Sequence, residues 1–193
     1  MRILVACEFS GTVRDAFLAQ GHDAMSCDLL PTESPGPHYQ GDVRDVLGMG
    51  WDMMIAHPPC THLAVSGAKH FHRKAAEQAE ALEFVRLLLA APIERIALEN
   101  PVSIISTRIR KPDQIIQPWQ FGEEKTKTTC LWLKNLPPLM FTEIVSPGAI
   151  HTTAGGNRIP TWYSNASNAG GQRAKVRSVF SPNIAAAMAA QWK

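Results

Sequence analysis

One pattern recurs through the first 100 residues: a short apolar run that stops on a polar or acidic side chain. Ile3 to Ala6 stops at Cys7-Glu8, and His22 to Cys27 stops at Asp28. Trp51 to Ala56 stops at His57-Pro58-Pro59-Cys60, and Ile93 to Leu98 stops at Glu99-Asn100-Pro101. Brief apolar runs of this kind read as parallel strands buried on both faces. Between them the sequence turns helical. Thr12 is placed as the N-cap of a helix through Val13, Ala16, Phe17 and Leu18 that ends near Gly21. Residues 73–91 put Ala79, Leu82, Val85 and Leu89 on one face before Pro92 stops them. Strands alternating with helices require an α/β fold with an open, mostly parallel sheet. Ligands of such sheets bind beyond the carboxyl ends of the strands.

The back half is less regular. Residues 128–134 and 139–145 read as short strands around Pro137-Pro138. Residues 146–172, rich in Gly, Asn, Ser and Thr, read as loop, and an alanine-rich helix follows Pro182. The charge divides at the same place. Residues 1–100 carry 8 Lys and Arg against 13 Asp and Glu, a net of −5; residues 101–193 carry 11 against 4, a net of +7. A basic back half is suited to a polyanion, or simply to solubility. The 193 residues, 45% of them apolar, fit one domain with a small appendage. No apolar run is long enough to cross a bilayer, and the first residues lack a signal-peptide pattern. Cys7, Cys27, Cys60 and Cys130 show no paired spacing, which points away from a disulfide framework and toward a reducing cytoplasm.

The strand ends carry the candidate chemistry. Two prolines stiffen the chain before Cys60 and fix where its side chain points, so Cys60 is either a nucleophile beside a crevice or a small residue at a loop start. Glu99 lies at the end of the next helix-linked strand. It is either a pocket carboxyl facing Cys60 or part of a helix N-cap with Asn100 and Ser103. Asp28 and Asp42, taken to end the second strand and open the third, stand where a nucleoside's hydroxyls need an acceptor, with Glu8-Phe9-Ser10-Gly11 as the turn beneath. No glycine-rich phosphate cradle is present, which favours a nucleoside cofactor without phosphate, S-adenosylmethionine. His62, His70 and His72 match no structural metal spacing, so no metal site is assigned. They fit a polar loop that closes over a substrate.

Taken together, these pieces resemble the DNA cytosine-5 methyltransferase family, in the short form found in phages and prophages. Phe9-Ser10-Gly11 is similar to the family's first motif, Asp28 to its ribose-binding acid, and Gly41-Asp42-Val43 to its Gly-Asp-Ile. Pro58-Pro59-Cys60 is similar to the Pro-Cys nucleophile step, Glu99-Asn100-Pro101 to Glu-Asn-Val, and Lys125-Thr126-Lys127 to the Gln-x-Arg-x-Arg segment. The closing stretch Arg177 to Ala185 resembles the last motif, whose helix returns to the cofactor site. The order is the family's, across nearly the whole chain. Departures are a missing second glycine in the first motif, Pro101 for valine, and two lysines for two arginines, which cannot present the same planar fork.

The resemblance implies a Rossmann-like, S-adenosylmethionine-dependent methyltransferase fold with a mostly parallel sheet and a very small target-recognition insertion. It divides the chain into a catalytic and cofactor-binding core (1–139), a reduced recognition segment (140–176) and a helix returning to the core (177–193). It implies methyl transfer to carbon 5 of cytosine in DNA, duplex with a flipped base or single-stranded, through a covalent adduct. Cys60, Glu99, Lys125 and Lys127 would be catalytic. Glu8, Phe9, Ser10, Gly11, Asp28, Asp42, Pro59 and Asn183 would hold the cofactor. Arg158, Arg173, Lys175 and Arg177 would follow the DNA backbone; Trp162-Tyr163 would either stack on or wedge against bases or, the reading favoured for two aromatics, pack against the sheet. The chain would be a cytoplasmic monomer or weak dimer, in the host's cytoplasm if phage-encoded. Two other readings stay open: a methyltransferase of free cytosine nucleotides, and an inactive DNA-binding or anti-restriction protein. An exocyclic amino-methyltransferase is disfavoured, because His57 and Cys60 replace the acid or amide and the aromatic of its strand-end motif.

Overall fold

The computed structural model describes residues 1–168, 170 and 173–193; the side chains of His70, His72, Arg173, Ala174 and Lys175 also lie outside the description. Seven strands form one sheet: β1 (Arg2–Ala6), β2 (Asp23–Asp28), β3 (His38–Gln40), β4 (Met53–Ala56), β5 (Arg95–Asn100), β6 (Gln114–Ile116) and β7 (Thr129–Lys134). Their order is β3-β2-β1-β4-β5-β7-β6. The first five run parallel, and β7 is antiparallel to both of its neighbours. Every residue of β4 is buried, as a strand covered on both faces requires. One face of the sheet packs with α2 (Ala75–Leu89). The other packs with α1 (Thr12–Ala19) and α6 (Pro182–Gln191), where Phe17, Ile184 and Met188 are fully buried. Among the described residues, no helix is long and apolar enough to cross a membrane.

The strand order reverses between β1 and β4. This is the switch point at which an open α/β sheet leaves a crevice. The loop after β1 and the Pro-Pro-Cys loop after β4 therefore flank one opening.

Several expectations need correction. Gly11, not Thr12, occupies the N-cap of α1, in the left-handed conformation at φ 78°. A Cβ there would meet Arg14 Nη2 at 2.4 Å, so the turn demands glycine twice over. The third strand is His38–Gln40, so Asp42 follows it rather than opening it. The buried face of α2 adds Leu88 to Leu82 and Val85, Leu89 packs at its edge, and Ala79 is exposed. Residues 139–145 form no strand; Phe121 and Glu143 share only an isolated bridge. The segment read as loop contains the hairpin β8 (Ile150–Thr152) and β9 (Arg158–Pro160), then α4 (Thr161–Ser167), with α5 (Arg173–Ser178) beyond. β6 and the short α3 (Ile105–Arg108) lacked a pattern long enough to read.

The proline-rich loop after β2 is held by a buried cation. Arg14 of α1 has no solvent exposure. Its Nε donates to Asp15 at 2.8 Å, Nη1 to the Ser26 and Thr32 hydroxyls, and Nη2 to the carbonyls of Ser34 and Pro35. These contacts employ all five guanidinium donors. Arg14→Ala is expected to lower unfolding free energy by about 3 kcal/mol in urea titration, because it orphans buried acceptors and opens a cavity. Arg14→Lys should recover only part of this, since an ammonium cannot reach both sides of the fork.

Candidate active site

Two groups of side chains, or compartments, lie side by side at the carboxyl edge of the sheet: one lines a cleft, the other gathers around Glu99 and Cys60. The first is a cleft of about 170 Å³ lined by Cys7, Cys27, Asp28, Leu29, Gly41, Asp42, Val43, Arg44, Pro59 and Phe84. It draws on the ends of β1, β2, β3 and β4, as the switch-point rule requires. Asp28 accepts the Leu30 amide at 2.9 Å. Asp42 caps a short 3-10 turn, accepting the Arg44 amide at 2.9 Å and pairing with its guanidinium at 2.7 Å. The Arg44 amide, followed by its side chain, holds the Asp42 carboxyl below the usual carboxylate range. Leu29 is 72% exposed, an unusual state for leucine, and offers the cleft an apolar wall.

The β1 turn stands beside this cleft rather than lining it. Glu8 is buried, and its two carboxylate oxygens accept the amides of Val13 and Arg14 at 2.7 and 3.2 Å. Ser10 bonds to Glu8 and Thr12. Phe9 accepts the Glu33 amide through its carbonyl. These residues, with Gly11, shape the turn; Cys7, which sequence reasoning passed over, is the one that reaches the cleft. Its position directly after β1 was the available signal. Burial pushes the Cys7 thiol up to about 12 and that of Cys27 to about 11, so both stay protonated. Asn183 lies apart from the cleft. It binds the 121–123 loop, donating to the Phe121 carbonyl and, from its amide, to Glu123.

The second compartment is built on β4 and β5. Buried Asn100 donates from Nδ2 to the Pro58 carbonyl at 2.9 Å, tying the Pro-Pro-Cys loop to the end of β5. The Cys60 carbonyl accepts the amides of Leu63 and Ala64, and Ala64 bridges to Ser103. Glu99 lies within β5, six residues before α3 begins, so the helix-cap alternative falls. His57 Nδ1 lies 3.1 Å from Glu99 Oε2, and Phe180 covers the imidazole with centroids 4.8 Å apart. Sequence reasoning missed His57 as a site residue. Its place between a buried strand and two prolines was the signal.

Cys60 is exposed to solvent at the mouth. Its walls, and then the Glu99 carboxylate, push its thiol above the ordinary range, while Lys127 and Arg177 pull it down. Burial pushes Lys127 below the usual lysine range; Glu99 draws it back. Lys127 donates to the Val179 carbonyl at 2.7 Å. Cys60, Glu99, Lys127 and Arg177 thus form one charged group. Lys125 stands beside it, pushing Lys127 further down, with Nζ 4.6 Å from the centre of the Trp162 ring. Trp162 donates to the Thr126 carbonyl and Tyr163 carries Arg177 on its face at 4.4 Å. These two aromatics therefore pack on the 125–126 segment and on α5, not on the sheet. Arg158 is exposed on β9. The side chains of Arg173 and Lys175 lie outside the described residues.

No family model matches the chain, and no curated protein matches it. Among solved structures it is similar to Entamoeba histolytica methyltransferase EhMeth, with a TM-score of 0.53 at 13% identity over 75% of this chain and 57% of that one. Two weaker likenesses are to a protein assigned as a DNA modification methyltransferase encoded within an E. coli prophage (0.49, 14%, 76% of this chain and 52% of that) and to a mutant of Spodoptera frugiperda DNMT2 (0.43, 12%, 75% and 54%). The chain thus spans slightly more than half the length of these structures. The likeness to the Entamoeba protein is one of fold: a Rossmann-like methyltransferase architecture around a mostly parallel seven-stranded sheet. The expected fold class is the observed one.

The charges around Cys60 predict its reactivity. At pH 8 iodoacetamide should label it slowly, and Glu99→Gln should speed labelling by about two- to tenfold by removing the anion that disfavours thiolate. Lys127→Met should slow it. Peptide mass spectrometry reads both, with Cys7, held protonated in the cleft, and buried Cys27 unlabelled in the folded protein.

Proposed function

We propose that this chain transfers a methyl group from S-adenosylmethionine to carbon 5 of cytosine in DNA. The observation that carries the reading is the pairing of compartments. A cleft with carboxylates and apolar walls adjoins, through Pro59-Cys60, an exposed cysteine coupled to a strand-end carboxylate.

The cleft fits the cofactor by its chemistry. Leu29, Val43, Pro59 and Phe84 offer flat apolar contact for a base, and Asp28 and Asp42 offer acceptors for hydroxyl and amine. When bound, S-adenosylmethionine supplies an electrophilic methyl on a sulfonium. The second compartment prepares the other reactant. Carbon 5 of cytosine is a weak nucleophile. Addition of the Cys60 thiolate to C6 converts the ring to an enamine that is strongly nucleophilic at C5. Glu99 accepts from the exocyclic amine, and N3 takes up a proton from water as charge builds in the ring. Lys127 lies where its ammonium can favour the thiolate. After methylation a base or water removes the C5 proton and Cys60 departs. A stacked base cannot reach this group, so the target is flipped out or single-stranded. Residues 140–176 would choose the target, with Arg158, Arg173, Lys175 and Arg177 on the phosphates and Lys125 beside them.

The test is tritiated methyl transfer to duplex DNA, single-stranded DNA and dCMP. Transfer to DNA is expected, with loss of more than about a thousandfold in Cys60→Ser. An oligonucleotide carrying 5-fluorocytosine should trap a covalent adduct with Cys60. Transfer to dCMP alone would make the substrate a free nucleotide. DNA binding without transfer would make the chain an inactive binder. Asp42→Asn should weaken cofactor binding by about tenfold in calorimetry while leaving Cys60 alkylation unchanged.

A further inference from the structure

His57 joins the loops after β1, β4 and β5. Its amide donates to the Ala6 carbonyl at 2.9 Å, which fixes its backbone at the switch point. Its Nδ1 meets Glu99 Oε2 at 3.1 Å, and both side chains are largely buried. Phe180, from the stretch leading into α6, lies against the ring. Nε2 is buried and has no hydrogen-bond partner among the described residues.

This geometry assigns the proton on Nδ1. An ionised carboxylate offers only acceptors, so the ring nitrogen that faces Glu99 must be the donor. The contact occupies Oε2 and resists rotation of the carboxylate. Oε1 has no hydrogen-bond partner among the described residues and is left for a ligand. Asn100, the next residue of β5, holds the Pro58 carbonyl, so the same pair of loops is clamped once by backbone and once by side chain.

We propose that His57 is a positioning residue: its Nδ1–H holds the Glu99 carboxylate so that Oε1 faces a pyrimidine seated beside Cys60. This rests on the cytosine reading above and deepens it. A carboxylate fixed as an acceptor matches an exocyclic amine. Held at the 4-position it meets the O4 oxygen of uracil or thymine as acceptor against acceptor, whereas a carboxylate free to shift to N3 could accept their N3–H; by preventing that shift His57 supports selection of an amine-bearing pyrimidine. No contact between the imidazole and the base is required.

The experiment compares His57→Asn, His57→Gln and His57→Ala with wild type on cytosine- and uracil-containing oligonucleotides. An asparagine amide places its N–H near the position of Nδ1, whereas a glutamine amide reaches toward that of Nε2. His57→Ala should lower kcat about 10–100-fold with KM little changed, the range found when a residue orienting a reactive side chain is removed. His57→Asn should recover most of that loss and His57→Gln should not. An alanine variant as active as wild type, or an asparagine variant no better than alanine at equal thermal stability, overturns the proposal. Nitrogen NMR of the wild-type imidazole gives a readout free of turnover: the Nδ1–H tautomer is expected, with a changed tautomer balance in Glu99→Gln. If wild type methylates nothing, the cytosine reading fails by itself. The spectrum then decides the His57–Glu99 contact, and an Nδ1 without its proton, or indifferent to Glu99→Gln, overturns it.

Discussion

The cleft side of the sheet depends on one buried guanidinium. Arg14 stands on the first turn of α1, yet most of its partners belong to the stretch between Ser26 and Pro35. Beyond the end of β2 at Asp28 the chain has three prolines and one glycine up to residue 37 and no regular structure until β3. Its shape comes from the fork geometry of Arg14, supported by Asp15 holding the Ser34 hydroxyl at 2.7 Å. Gly11 and Gly36 are glycine because the same side chain passes too close for a Cβ. Asp28 and Leu29 enter the cleft from the start of this loop. A helix residue thereby positions a wall of the cleft that it does not touch.

On the other side, position is set by β4 and β5. Neighbouring parallel strands carry Ala56 and Leu98 in register, so the residues that follow, His57 and Glu99, are presented side by side. Register alone brings two polar side chains together there, and their mutual hydrogen bond avoids the cost of burying each unpaired. The Asn100 clamp on Pro58 then directs the chain outward to Cys60. Cys60 is exposed while Cys7, Cys27 and Cys130 are not, which separates a thiol available to a large substrate from thiols that fill space.

What could be read from sequence follows from range. Runs such as Met53 to Ala56 announce buried strands because burial on both faces leaves no polar position. The polar residues that end them mark the functional edge of the sheet. Residue pairs were harder. The His57–Glu99 contact spans 42 residues and the Arg14–Ser34 contact 20, and neither leaves a periodic trace. β3 and β6, three residues each, are too short to show alternation and form because a neighbour offers a free ladder. For Trp162 and Tyr163 their aromatic character alone favours packing against the sheet. Their indole and phenol groups instead meet a carbonyl and cations, partners that an aromatic with a polar rim can use outside the core.

Glu8 has a consequence for what the protein ignores. The start of a helix after a first strand is a common anion seat, because its amides point outward and its dipole is positive. Here an internal carboxylate fills that seat, accepting the Val13 and Arg14 amides. Asp28 lines the cleft close by, and the cation that lines it, Arg44, is paired with Asp42. An anionic group entering there meets helix amides that are taken and a guanidinium that is engaged, so the turn that in other sheets gathers phosphate offers it no seat.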